Sequence, residues 1–141
     1  MPFKYLEEIA IADIAFEAAG KTLEDLFVSC AEAVEDSMVN LKQVKPKIEK
    51  TVHLMDENQE TLLFKFLNEL IFLKDAEGLL FSKFNIKIKH DKKFSLTAEI
   101  FGEKIDHKRH ELRNDIKAIT YHLFSIKKDG QNFKATVVLD I

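Results

Sequence analysis

The sequence predicts an α+β domain of two layers, with a mixed, mainly antiparallel sheet of about six strands and two main helices. Three observations predict it. Apolar and polar residues alternate with period two in several short runs. Two longer segments instead carry apolar residues at helical spacing. The order is strand, helix, strand, helix, then four strands in two hairpin-like pairs. Two helices cannot cover both faces of a six-stranded sheet, which implies a two-layer arrangement.

The first strand is the run "IADIAFEA", residues 11–18, where Ala12, Ile14, Phe16 and Ala18 share an apolar face and Asp13 and Glu17 point away from it. Gly20 breaks it. Thr22 can cap a helix over 22–39, with Glu24 and Asp25 suited to its first turn. Leu23, Leu26, Phe27, Cys30, Val34 and Met38 recur there at helical spacing, which places Cys30 in the core. A strand near 47–55 follows Pro46. The second helix, about 59–75, is apolar over most of its circumference and is expected to be the most buried. Asn68 and Glu69 are its polar exceptions, and Gly78 suits a left-handed helix end.

Phe84, Ile86 and Ile88, then Phe94, Leu96, Ala98 and Ile100, alternate on either side of "HDKK" and read as a hairpin. An irregular connection, 102–114, comes next. "IKAITYHLFSI" and "NFKATVVLDI" give two more strands, with Gly130 permitting the turn between them.

The chain has 141 residues and a net charge of −3, with 46% hydrophobic and 32% charged residues. This fits one globular domain over 1–141 and excludes a disordered composition. "MPFKYLEEIAIADIAFEA" lacks the basic and apolar regions of a secretory signal. No run approaches the roughly 18 apolar residues of a membrane span. Cys30 is the only cysteine, which excludes an internal disulfide and a multi-cysteine zinc cluster. A cytoplasmic protein is expected. The charge is uneven: residues 1–82 hold 8 Lys and Arg against 16 Asp and Glu, whereas residues 83–117 hold 10 against 6. A basic face of that kind can meet RNA or an acidic protein surface, or simply solvate strands.

Two groups of residues carry candidate chemistry. Asp13 and Asp140 both point off the apolar faces of terminal strands, and Ile141 closes the chain. If those strands meet, three carboxyl groups converge, and a hard cation such as Ca²⁺, Mg²⁺ or Mn²⁺ would relieve their repulsion. If they do not, the two acids are solvated strand ends. In "GEKIDHKRHELRNDIKAITYH", residues 102–122, His107 and His110 are three apart, with Asp106 and Glu111 able to orient them on a metal. A solvated loop is the alternative. Lys117 sits in an apolar strand, beside Ile119, Tyr121 and Leu123 on strict alternation. It therefore needs water or an anion at its tip, and Asp115 and Glu103 are candidates. His122 on the opposite face is expected to be a hydrogen-bonded structural histidine. No nucleophile motif, phosphate loop or metalloprotease helix is present.

Five segments in order, "IADIAFEAAGKTLEDLF", "NELIFLKDAEGLLFSKF", "GEKIDHKRHE", "DIKAITYH" and "VVLDI", resemble the archease family, and together they run across nearly the whole chain. The resemblance implies a fold similar to an Hsp33 domain. It also implies a non-enzymatic accessory role: activating an RtcB-type RNA ligase in tRNA splicing by promoting its guanylation and multiple turnover. It places a divalent metal, with Ca²⁺ the expected occupant in a crystal, on Asp13, Asp140 and the carboxylate of Ile141. It gives Lys117 the role of the lysine needed for activation. Where archeases read His-Thr-Ala-Asp, this chain has Ala10, Ile11, Ala12 and Asp13, so two polar neighbours of the metal ligand are missing. The alternatives are a stand-alone metal-dependent phosphotransfer or hydrolytic enzyme, and a general chaperone or RNA-binding module.

Overall fold

The computed structural model describes residues 3–6 and 13–141. Ala10, Ile11 and Ala12 lie outside the described residues. The elements are β1 (Phe3–Tyr5), β2 (Asp13–Gly20), α1 (Leu23–Met38), β3 (Ile48–Asp56), α2 (Gln59–Glu77), β4 (Leu79–His90), β5 (Phe94–Lys104), β6 (Ala118–Asp129) and β7 (Asn132–Asp140). A short 3-10 turn, Leu41–Gln43, follows α1.

The α+β class holds, but the expected single mixed sheet is instead two antiparallel sheets. Their strand orders are β1-β2-β7-β6 and β3-β5-β4. The chain leaves β2 through α1 and re-enters in the other sheet at β3. No parallel neighbours therefore arise among the described strands, where a mixed sheet would need them.

The local signals act as read. The Thr22 side chain accepts from the Asp25 amide at 3.0 Å. Gly78 ends α2 at φ 65 and Gly130 turns β6 into β7 at φ 66, both backbone conformations that cost a side-chain-bearing residue energy. Asn58 caps α2 by accepting from Glu60 and Thr61.

The core joins both sheets to both helices. Phe16, Phe27, Phe66 and Phe81 are fully buried in it, with Leu26, Leu62, Leu67 and Ile100. Each such side chain contributes about 1.5–3 kcal/mol by leaving water. Cys30 is buried among them, and burial pushes its thiol pKa up. The more enclosed helix is α1 rather than α2. It packs on β2 of one sheet and β4 of the other and buries small residues (Ala31, Ala33) that allow close approach. In contrast α2 leaves Phe72 exposed.

Two close contacts stand out. Gly102 in β5 lies against β4 so closely that a Cβ there would sit 1.7 Å from the Leu80 carbonyl oxygen. Strand β6, an edge of its sheet, is sealed by α2. Asn68 Oδ1 accepts from the Ile119 amide at 3.1 Å, and Glu60 Oε2 accepts from the Ile126 amide at 2.7 Å. That explains the polar Asn68 on the side of α2 that meets β6. Between those two bonds the register with β7 shifts from Thr120 to Ser125. Leu123 there adopts φ 56, and Tyr121 stacks on Phe64 with ring centroids 3.8 Å apart.

Candidate metal and partner-contact site

Antiparallel pairing of β2 with β7 sets Asp13 directly opposite Asp140, and Ala118 of β6 lies opposite Asp140 on its other side. Directly opposed residues share a face, with Cβ atoms about 4.5–5.5 Å apart. Ile141 follows immediately, so its terminal carboxylate is one residue from the pair. The first and last long strands of the chain thus do meet. Two carboxylates facing each other across a ladder repel. A carboxylate at residue 141 would complete an all-oxygen donor set of the kind that a hard divalent cation takes. Among the described residues, no group of three His, Cys, Asp or Glu side chains is arranged for a metal. At this end the third donor would be the chain's own terminus. Asp13 is half-buried, whereas Asp140 and Ile141 are exposed.

Lys117 lies beside this end, but not as alternation predicts. Strand β6 begins only at Ala118, and Lys117 is exposed on the segment before it. Its backbone amide donates to the Asp140 carbonyl at 2.8 Å, which ties the lysine to the terminal strand. Neither acidic candidate receives its tip. Asp115 binds Lys74 at 2.6 Å, and Glu103 is taken by Arg109 and His110. Among the described residues, Lys117 makes no ion pair. His122 also departs from expectation: the β6 bulge turns it out to solvent.

The stretch between β5 and β6 is a pinned loop. Glu103 is buried and serves three donors: the Lys45 amide at 2.7 Å, the Arg109 guanidinium, and His110 Nε2 at 3.0 Å. Desolvation pushes the Glu103 carboxyl up. The hydrogen bonds from Arg109, Lys45 and His110 outweigh it and bring the pKa down to about 2. The Asp106 amide donates to His110 Nδ1 at 2.9 Å, so His110 carries its proton on Nε2 and gives it to Glu103. Both ring nitrogens are therefore occupied, which overturns the metal alternative for His107 and His110. Farther along, the Arg113 and Asn114 amides donate to the last carbonyls of α1, at Met38 and Ser37.

The clamp formed by Glu103, Arg109 and His110 and the buried ammonium of Lys74 were missed in the sequence. Both are long-range contacts that periodicity does not carry. The one signal for the loop was its density of charged residues.

Residues 3–141 match the Archease protein family. The chain is 41% identical over 133 residues to a protein archease of Pyrococcus furiosus, covering 92% of this chain and 93% of that one. It is 35% identical over 139 residues to one of Sulfurisphaera tokodaii, covering 99% and 98%. The solution structure of protein 1598 of Methanobacterium thermoautotrophicum superposes with a TM-score of 0.88 at 35% identity, covering 99% of each chain. A Thermotoga maritima crystal structure, described as an archease and possible chaperone, gives 0.64 at 25% identity over 94% of this chain and 93% of that one. Among the described residues, no helix is long and apolar enough to cross a membrane. With the family match spanning every described element and the relatives matched nearly end to end, the chain belongs to the archease family.

Proposed function

We propose that this chain is a non-enzymatic accessory protein that activates an RtcB-type RNA ligase in tRNA splicing or RNA repair, and that it uses a bound divalent cation and Lys117 to do so. The observation that carries the reading is the register of the terminal strands. It puts Asp13 opposite Asp140, one residue from the terminal carboxylate, and ties Lys117 to the same strand. Membership of the archease family supports the choice of partner.

Asp13, Asp140 and the carboxylate of Ile141 would hold the cation, Ca²⁺ in a crystal and Mg²⁺ or Mn²⁺ as alternatives. The cation would neutralise their mutual repulsion and fix the end of β7 against β2. Lys117 presents an exposed point charge with three donors beside that end, suited to a phosphate or carboxylate of the partner. A cytoplasmic location goes with the partner.

Multiple-turnover RNA ligation by the partner ligase, with and without this protein, is the test. Faster guanylation and many turnovers per ligase are expected. Unchanged ligation, together with suppression of aggregation of unrelated proteins, would replace this reading with that of a general chaperone.

A further inference from the structure

The far side of the pinned loop forms a groove of about 710 Å³ between the start of β3 and residues 103–109. It is lined by Lys47, Lys104, His107, Lys108 and Arg109, with two carboxylates, Glu103 and Asp106. Glu103 is buried and neutralised by Arg109. Asp106 Oδ1 is occupied by the Lys108 amide. Lys47, Lys104 and Lys108 are exposed and, among the described residues, none of them is ion-paired. The overall charge of the chain is −3, so this concentration of unpaired lysines is a local feature.

We propose that this groove binds the phosphodiester backbone of RNA. Three observations favour RNA. The groove has several uncommitted ammonium groups, each a mobile point charge suited to one phosphate. Ile48 and Ile105 are the two apolar residues among those lining it, the lysine stems supply further apolar surface, and it contains no Phe, Tyr or Trp anchor of the kind that centres a protein interface. It is also built in advance. One buried carboxylate, Glu103, binds the β3 side through the Lys45 amide and the loop side through Arg109 and His110. Both walls are held before any ligand arrives, so little ordering cost remains at binding. Contacts of this type position a strand without reading its sequence.

The choice of RNA among polyanions rests on the ligase reading, but binding is measurable on the isolated protein, so the two can fail separately. The probe is a fluorescein-labelled 20-nucleotide oligouridine, followed by anisotropy from 50 to 200 mM salt. A labelled polyglutamate of equal length stands in for an acidic protein. The native chain should bind the RNA more tightly than the polyglutamate, with a log–log salt slope of about −2 for three phosphate contacts on a single strand. The triple reversal Lys47→Glu, Lys104→Glu and Lys108→Glu should weaken RNA binding at least about tenfold. The same number of reversals on the β4–β5 hairpin, Lys89→Glu, Lys92→Glu and Lys93→Glu, should change it by less than about threefold. Equal losses in the two variants would show non-specific charge and overturn the site. So would tighter binding of polyglutamate, or no binding of RNA at 50 mM salt.

Discussion

Lys74 reaches from the buried side of α2 to Asp115 at 2.6 Å, and the same ammonium donates to the Ile116 carbonyl at 2.9 Å. The lysine is 9% exposed. Burial alone would lower its pKa. Hydrogen bonds to Asp115 and Asp75 more than offset that and raise it. This contact holds the segment that leads into Lys117, so the position of that lysine depends on a second, hidden one. Lys74→Met should cost about 1–3 kcal/mol, because the Ile116 carbonyl loses its partner. Asp115→Asn should cost under about 1 kcal/mol, since Asp115 is solvent-exposed and Asp75 remains. Urea denaturation of the two variants separates them, and amide exchange at Ile116 and Lys117 should speed up in Lys74→Met.

Lys117→Ala should leave thermal stability within about 0.5 kcal/mol, because the side chain is exposed and its structural bond is made by the backbone. Activation of the partner ligase should fall at least about tenfold, the equivalent of 1.4 kcal/mol. Lys117→Arg should restore it in part, since a planar fork replaces a point charge poorly. Multiple-turnover ligation and a thermal melt on the same samples decide it. Normal activation by Lys117→Ala would make the lysine an ordinary surface residue.

Extending the chain by one glycine beyond Ile141 converts the terminal carboxylate into an amide and moves the charge outward. Calcium affinity, read by calorimetry, should drop at least about tenfold, as it should in Asp13→Ala and Asp140→Ala. Without metal those two variants should be as stable as the native chain or slightly more so, since each removes one member of a facing like-charged pair. Unchanged affinity after the extension would remove the terminus from the ligand set.

Glu35 should make stability fall as pH rises through the range between its unfolded and folded pKa values. Its carboxyl is fully buried in α1. Oε1 accepts from the Phe81 amide at 3.0 Å, while Oε2 has no partner among the described residues. Desolvation raises its pKa from 4.5 to about 8, against smaller opposing effects of the Phe81 amide and Lys74. A group raised in the folded state gives its full contribution below its unfolded pKa and loses it as pH climbs through the folded one. The loss should therefore fall between pH 4.5 and 8. Glu103 has the opposite sign: lowered to about 2, it contributes above pH 4.5 and loses its contribution as pH falls toward 2. Glu35→Gln should flatten the profile between pH 4.5 and 8 by an amount on the order of 2–4 kcal/mol. Denaturation midpoints from pH 5 to 9 measure it, and an unchanged slope would show that Glu35 ionises freely.

The elements were legible because each depends on neighbours in sequence. Thr22, Gly78 and Gly130 mark helix and turn boundaries through their own backbone chemistry, and the hairpin announces itself by alternation. The division into two sheets was not legible, because period two says that a strand has two faces and not which strand lies beside it. Alternation likewise showed that Asp13 and Asp140 leave their apolar faces, but only the β2–β7 register brings them together. Lys117 was misplaced because the chain enters β6 at Ala118, two residues later than the apolar pattern, which begins at Ile116, suggests. The β6 bulge then shifts the register beyond Thr120, and no local signal marks a bulge that tertiary packing imposes. Lys74 lay unnoticed among the polar positions of α2, since a buried lysine looks like any other until its partners are known.

The sealing of β6 by Asn68 and Glu60 decides how this molecule can associate with others. An edge strand with open amides is a template on which a foreign strand can grow, and a helix lying along it with two side-chain acceptors removes that template. β1 remains as the other edge of the larger sheet, and β3 and β4 are the edges of the smaller one. β4 alternates Lys83, Lys87 and Lys89 on its exposed positions, and such lysines discourage strand addition between copies. A molecule that meets this one along β6 or β4 must therefore dock by side chains rather than by adding a strand to a sheet.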